Sequence, residues 1–125
     1  MLGFTNVMAV LPASDLERAR GYYKDKLDLE PEMSEDGALI YNIAGARVML
    51  YETSFAGTAQ NTALTLEADN LDATMAELRN RGVVFEEYDM PGLKTENGVA
   101  SMGTERGAWF VDSERNIIGV IERSA

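Results

Sequence analysis

The sequence of 125 residues contains no cysteine and no histidine. Without cysteine there is no disulfide framework, no zinc site with thiolate ligands and no cysteine nucleophile. Without histidine, imidazole metal ligands and the commonest general base are excluded as well. Any bound metal ion would need oxygen ligands, which suit hard cations better than zinc or copper.

Basic residues and long hydrophobic runs are also scarce. The chain has 21 Asp and Glu against 11 Lys and Arg, a net charge of -10, which argues against nucleic-acid binding because phosphates attract basic surfaces. The acidity permits a cationic ligand, but solubility explains it at least as well. No uncharged stretch approaches the ~20 residues of a membrane span, and the first residues lack the basic region of a signal peptide. We expect a cytoplasmic protein that contacts neither membrane nor nucleic acid.

The first half of the chain predicts a strand, a helix and three further strands. An apolar, partly β-branched run over Phe4–Leu11 indicates a strand that ends at Pro12. Ser14 and Glu17 form a capping box, and the apolar spacing that follows predicts an amphipathic helix over 15–27. Further strands are expected near 30–34, 37–43 and 46–53, with turns at Gly37 and at Ala44-Gly45.

The second half repeats this order. Thr62–Glu67 indicates a strand, Asp69–Asp72 an acidic cap, and Leu71, Met75 and Leu78 the buried stripe of a helix that Gly82 ends. Strands are expected near 83–89, 98–104, 107–112 and 116–123, with a loop at Pro91–Gly98. Unless the similarity of the halves is chance, the chain is one α+β domain of two βαβββ modules, 1–55 and 60–125.

Period-two alternation divides the strands into two faces. One face is purely apolar, as expected beneath helices: Val7, Ala9, Leu11, Val48, Leu50, Leu64, Leu66, Ile118 and Val120. The other mixes polar, methionine and aromatic side chains: Asn6, Met8, Val10, Arg47, Met49, Tyr51, Ala63, Thr65, Ile117, Gly119 and Ile121. The mixed composition is typical of a ligand pocket, although a second core layer would tolerate the same residues.

Three segments carry a resemblance to a known family: Leu11–Ala19 with Tyr22-Tyr23, Asp69–Ala73, and Ala108–Ile117. Together they resemble the vicinal oxygen chelate superfamily, which includes glyoxalase I, bleomycin-resistance proteins and extradiol dioxygenases. The resemblance implies a curved, mostly antiparallel mixed sheet around a cleft, with helices on its outer face. It also implies a homodimer.

The sequence departs from this family at the metal site. In its metal-dependent members the first and last strands of each module supply ligands; the matching positions here are Met8, Met49, Ala63 and Gly119. None offers an oxygen or nitrogen side-chain ligand, and a slip of one residue does not restore a site. We therefore expect no metal and no cofactor. The family's usual turn residues are also replaced, by Ser113, Arg115 and Asp28.

The resemblance implies a glyoxalase- or bleomycin-resistance-like protein that binds a small organic molecule, cationic or aromatic, in a metal-free cleft. The alternative is a lyase, isomerase or dioxygenase of the superfamily that holds a metal through carboxylates or uses Glu52, Glu67 or Glu122 as a base. A third possibility is a protein-interaction module whose pocket is filled by its own side chains. Whether the chain is an enzyme is left open, and no catalytic residue is assigned. The expected ligand-binding residues are Asn6, Met8, Arg47, Met49, Tyr51, Ala63, Thr65, Trp109 and Gly119.

Several of these side chains also have simpler interpretations. Tyr51, Phe55, Tyr88 and Trp109 are suited to stacking on a planar or cationic ligand, but ordinary packing explains each of them. Arg47 suits an anionic ligand or a solvated strand edge equally well. The Gly92–Gly98 loop is either a lid over the pocket or a plain connection.

Overall fold

The computed structural model describes residues 2–123, and its first half forms one βαβββ module. The helix and the strands lie close to the predicted positions, because the apolar spacing that marks them is regular. The elements are β1 (Met8–Ala13), α1 (Leu16–Leu27), β2 (Met33–Glu35), β3 (Ala38–Ile43) and β4 (Ala46–Glu52).

The second half forms another module with two additional short strands. These are β6 and β7, which pair as a hairpin within the part of the chain that has no counterpart in the first half. The elements are β5 (Thr62–Glu67), α2 (Leu71–Asn80), β6 (Asp89–Met90), β7 (Leu93–Lys94), β8 (Ala100–Met102), β9 (Glu105–Val111) and β10 (Ile117–Arg123).

The main strands form two separate four-stranded sheets, one from each module. Their orders are β1-β4-β3-β2 and β5-β10-β9-β8, so β1 and β5 each end a sheet and run parallel to their only neighbour. Equivalent residues pair in both sheets: Val10 lies opposite Met49 in the first, and Thr65 opposite Gly119 in the second. The α+β class is confirmed, and the internal repeat is visible in the strand register.

One hydrophobic core joins the two modules. The predicted apolar face of each sheet packs against the helices, with Leu50 and Val120 almost fully buried beside Tyr23 of α1 and Met75 of α2. Val7 is the exception, since it precedes β1 and is 84% exposed. Neither helix has the length and hydrophobicity needed to cross a membrane within residues 2–123.

The predicted bounds of the first strand are wrong. Phe4–Val7 lies outside any strand, and β1 continues through Pro12 to Ala13. The backbone N–H of Thr53 donates to the carbonyl of Ala13, so the backbone polar groups of residue 13 face β4. Because these groups alternate along a strand, those of residue 12 face the other edge of β1. Proline is tolerated there because its missing N–H removes no hydrogen bond from the sheet.

The predicted capping box is also wrong. Asp15, not Ser14, is the N-cap of α1, and its carboxylate accepts from the N–H of Arg18. The hydroxyl of Ser14 has other partners, since it donates to Glu114 of the second module at 3.3 Å and accepts from Arg18 at 2.9 Å. In α2 the cap is Asn70 rather than an acidic residue.

No continuous strand forms over 83–89. Phe85 makes a single β-bridge to Phe110, and Asp89 is the one residue of this stretch that belongs to a strand, at the start of β6. The backbone of Tyr88 bonds instead to Thr95, at 2.9 Å from the N–H of Thr95 to the carbonyl of Tyr88. We call residues 86–99 the strap, because this segment lies against the end of the second module.

Candidate ligand-binding site on the open faces

Each sheet has one face packed against a helix and one without a helix, which we call its open face. In the first sheet the open face carries Met8, Arg47, Met49 and Tyr51, since cross-strand partners such as Met8 and Arg47 share a face. The surface is apolar yet accessible: Met8 is 37% exposed and Tyr51 38% exposed. Such a surface of flexible methionine and aromatic side chains can adapt to a ligand.

The open face of the second sheet is dominated by Trp109. Its indole lies across two glycines: a Cβ built on Gly119 would be 3.2 Å from Trp109 Nε1, and one built on Gly107 would be 3.4 Å from Cη2. A Cβ at Gly119 would be closer to the ring than side chains normally pack, and one at Gly107 would already be in contact with it. The glycines therefore allow the only tryptophan of the chain to lie flat beside Thr65, the cross-strand partner of Gly119.

Tyr88 of the strap stands against this indole. The two ring centroids are 5.8 Å apart and the planes meet at 75°, the edge-to-face arrangement that aromatic pairs prefer. Partial burial, together with the nearby carboxylate of Glu86, raises the pKa of the Tyr88 hydroxyl, which therefore stays neutral at physiological pH. The rings of Tyr88 and Trp109 therefore form two adjacent surfaces of the site that meet at 75°, and Trp109 belongs to strand β9.

A third part of the surface lies where the two sheets approach each other. Tyr51, Ala63 and Ile117 border a cavity of about 190 Å³ together with Phe55 and Arg115 of the connecting segments. The structure thus brings Tyr51 and Ala63 together, and Trp109 with Thr65 and Gly119, as two neighbouring groups.

Asn6 lies apart from both groups. It precedes β1, and its side-chain oxygen accepts from the backbone N–H of Val7. Its role in ligand binding, like that of the other predicted site residues, stays a prediction.

The residues present do not fit a divalent metal ion. Met8, Met49, Ala63 and Gly119 supply no oxygen or nitrogen ligand, and the space beside Gly119 is taken by Trp109 and Thr65. Within residues 2–123 no three acidic side chains are grouped closely enough to hold a metal. The side chains on this surface can provide stacking, dispersion and charge attraction instead.

Two of the three carboxylates considered as bases, Glu67 and Glu122, have other partners. Glu67 pairs with Arg123 at 3.0 Å. Glu122 accepts from the N–H of Leu71 at 2.8 Å, at the start of α2, and lies 3.3 Å from Arg106. These contacts support the second module, and they leave both carboxylates poorly placed as general bases.

The sequence did not reveal a buried polar seam between the modules. The carboxylate of Glu114 is fully buried and accepts from the backbone N–H groups of Ser14 and Asp15, at 2.9 and 3.0 Å, and from Arg18 at 2.9 Å. Burial alone would raise its pKa, but the hydrogen bonds from Arg18, Asp15, Ser113 and Ser14 lower the pKa of Glu114 to about 2. Glu114 therefore stays charged and holds α1 to the second sheet.

Asp112 continues the seam. Its carboxylate accepts from the Tyr23 hydroxyl at 2.7 Å and from the N–H groups of Glu114 and Asn116, both at 2.8 Å. Burial and the Asp112 charge raise the pKa of Tyr23 well above its usual value. The Asn116 side chain then reaches the carbonyl of Pro12 in β1 at 3.0 Å. The same turn includes Arg115, with φ of 69°, where the sequence predicted a strained position.

Comparison with known proteins agrees with this architecture. No protein-family model matches the sequence, and neither does any curated protein. Among solved structures, TnmS3, an antibiotic binding protein from Streptomyces sp. CB03234, is 25% identical with a TM-score of 0.69, and the match covers 99% of both chains.

Two further structures extend the match. A glyoxalase/bleomycin resistance protein/dioxygenase from Alicyclobacillus acidocaldarius superposes with a TM-score of 0.75 at 11% identity, covering 97% of this chain and 92% of that one. The fosfomycin resistance protein FosX from Listeria monocytogenes, in complex with Mn(II) and sulfate, superposes with a TM-score of 0.71 at 13% identity. This match covers 99% of this chain and 93% of that one. The chain has the vicinal oxygen chelate fold. The open face of the second sheet in this fold is built around Trp109, which lies across Gly107 and Gly119.

Proposed function

We propose that this protein binds a small organic molecule with a flat, cationic aromatic group on its open faces, without a metal ion. The observation that carries the proposal is the indole of Trp109, which lies across Gly107 and Gly119 with the ring of Tyr88 edge-to-face against it at 75°. A flat ring placed on the indole gains stacking energy, and a positive charge on that ring adds a cation–π contribution.

The charge of the chain supports a cationic ligand. The net charge of -10 attracts cations over long range, and Glu86, Glu87 and Asp89 lie on either side of Tyr88 in the sequence. The likeness to TnmS3, an antibiotic binding protein, supports sequestration of such a molecule rather than its conversion.

Calorimetry with three probes tests this proposal. Proflavine is a flat cation, anthraquinone-2-sulfonate a flat anion, and spermidine a flexible cation without a ring. We expect proflavine to bind most tightly, with quenching of Trp109 fluorescence, and its affinity to be unchanged after dialysis against EDTA. If none of the probes binds with a dissociation constant below about 1 mM, the proposal is wrong. Loss of binding with EDTA would favour a metal-dependent enzyme.

We further propose that two copies of the chain complete the site as a homodimer. Within residues 2–123, β1 and β5 each have one edge that pairs with no strand, apart from the side-chain contact of Asn116 with Pro12, and such edges readily pair with another chain. Met8, Val10 and Tyr51 are exposed on the first open face, beside the edge of β1. Native mass spectrometry is expected to give twice the mass of 13.7 kDa. A monomer at micromolar concentration would contradict this part.

A further inference from the structure

The strap, residues 86–99, is held in one conformation by a small hydrogen-bonded knot. The hydroxyl of Thr95 donates to Glu87 Oε1 at 2.7 Å and accepts from the N–H of Tyr88 at 2.8 Å. The same oxygen of Glu87 accepts from the N–H of Gly98, also at 2.7 Å. Thr95 is only 8% exposed, although it lies in a connecting segment.

The knot is attached to the rest of the module on both sides. The N–H of Glu86 donates to the carbonyl of Trp109 at 2.7 Å. Arg79 of α2 donates to the carbonyl of Asn97 at 2.9 Å, and its guanidinium lies 5.3 Å from the centre of the Phe85 ring. Both ends of the strap are therefore anchored to secondary structure, and Tyr88 lies between the anchors.

Gly98 allows this close attachment. A Cβ at this position would meet Phe85 Cβ at 3.1 Å and Met75 Cε at 3.2 Å, and its φ of 81° is one that other residues rarely adopt. The strap is thus a preformed part of the second open face rather than a loose connection, which is the type of preorganisation that reduces the entropic cost of binding.

We propose that Glu87 and Thr95 are positioning residues that hold Tyr88 against Trp109 and so set the width of the aromatic site. This inference rests on the proposed function, since it assumes that the ligand stacks beside these two rings. It assigns a role to the acidic residue before Tyr88 that differs from attracting cations: Glu87 acts through Thr95 and Gly98 on the shape of the site.

Two pairs of variants separate this role from general effects. Thr95→Val removes the hydroxyl at constant shape, whereas Thr95→Ser retains it. Glu87→Ala removes the carboxylate of the knot, whereas Glu86→Ala removes an equal charge one residue away and leaves the knot intact. The near-ultraviolet signal to follow is the tryptophan band of the circular dichroism spectrum of the free protein, because Trp109 is the only tryptophan and Tyr88 packs against it. Far-ultraviolet spectra confirm that each variant is folded.

We expect Thr95→Val and Glu87→Ala to lose the near-ultraviolet signal and to bind proflavine about tenfold more weakly, as expected when hydrogen bonds that order a contact are lost. Thr95→Ser should stay within about twofold of the unmodified protein. Glu86→Ala should keep the near-ultraviolet signal, and its loss of affinity measures the contribution of the charge alone, which Glu87→Ala should exceed. Unchanged spectra in Thr95→Val and Glu87→Ala would overturn the inference, and so would altered spectra with unchanged affinity. If the unmodified protein binds no proflavine, the proposed function fails, while the spectra still decide whether the knot positions Tyr88.

Discussion

The seam between the modules and the open faces differ in almost every physical respect. The seam is polar, buried and fully hydrogen-bonded, with the carboxylates of Asp112 and Glu114 as its centres. The open faces are apolar and accessible, with Met8, Tyr51 and Trp109 at the surface. Buried charges with complete hydrogen bonding fix geometry, whereas exposed apolar side chains keep surface free to be buried by a ligand. Under the proposed function, the seam sets the relative orientation of the two modules and the open faces contact the ligand, so different residues carry the two roles.

Replacing Glu114 tests the seam and should lower the stability of the protein strongly. Glu114→Ala leaves the N–H groups of Ser14 and Asp15 without their acceptor and Arg18 without its partner. We expect the free energy of unfolding to fall by about 2–4 kcal/mol, as measured by urea denaturation. Glu17→Ala removes an exposed carboxylate from α1, the helix that Glu114 contacts, and should lower the free energy of unfolding by only about 0.3–0.5 kcal/mol.

Acid provides a second measure of the same contact. The pKa of Glu114 is lowered from 4.5 to about 2, so its stabilisation is complete above pH 4.5 and is lost as the pH falls toward 2. The loss should be on the order of 2 kcal/mol, because half-exposed Arg18 is partly screened by solvent. Stability of Glu114→Ala should fall less over this pH range. An equal fall in both proteins would show that other carboxylates dominate acid unfolding.

Trp109 and Phe110 test the opposite side of the comparison, because they are neighbours on β9 and face opposite sides of the sheet. Phe110→Ala removes a fully buried ring and should cost about 3–5 kcal/mol in stability. Trp109→Ala should cost about 1 kcal/mol, yet weaken proflavine binding about thirtyfold through lost stacking and cation–π attraction. Urea denaturation and calorimetry measure the two effects. Normal proflavine affinity in Trp109→Ala would place the ligand elsewhere.

Residues with regular spacing could be predicted from the sequence, and residues that act through distant partners could not. The stripe of Leu71, Met75 and Leu78 follows from helix periodicity, and the shared face of Thr65 and Gly119 follows from strand alternation. The N-cap at Asp15 was missed because the hydroxyl of Ser14 bonds to a carboxylate 100 residues later in the chain. Such a contact leaves no local pattern.

The candidate site was predictable to a similar degree. Alternation along the last strand assigned Gly119 to the mixed face, whereas Trp109 was named only as an aromatic residue suited to stacking. The pairing of β9 with β10 places the two residues opposite each other, so that they share a face. The part played by Gly107 was not predictable, since it depends on how far the indole reaches across the sheet. The strap was mistaken for a strand followed by a loop, because its order comes from Glu87 and Thr95 rather than from apolar alternation.

Arg115 lies in the turn that joins seam and open face, and its substitution should have the smallest effect, of opposite sign. Its φ of 69° strains any residue with a Cβ, so Arg115→Gly should stabilise the protein by about 0.5–1 kcal/mol. Thermal unfolding would show this as a rise of about 2–5 °C. The same change at Arg20, an exposed position within α1, should instead lower stability by about 1 kcal/mol, because glycine is unfavourable inside a helix. If both variants were destabilised, the backbone strain at Arg115 would be smaller than the stabilisation from its side chain, which lies beside Gly57.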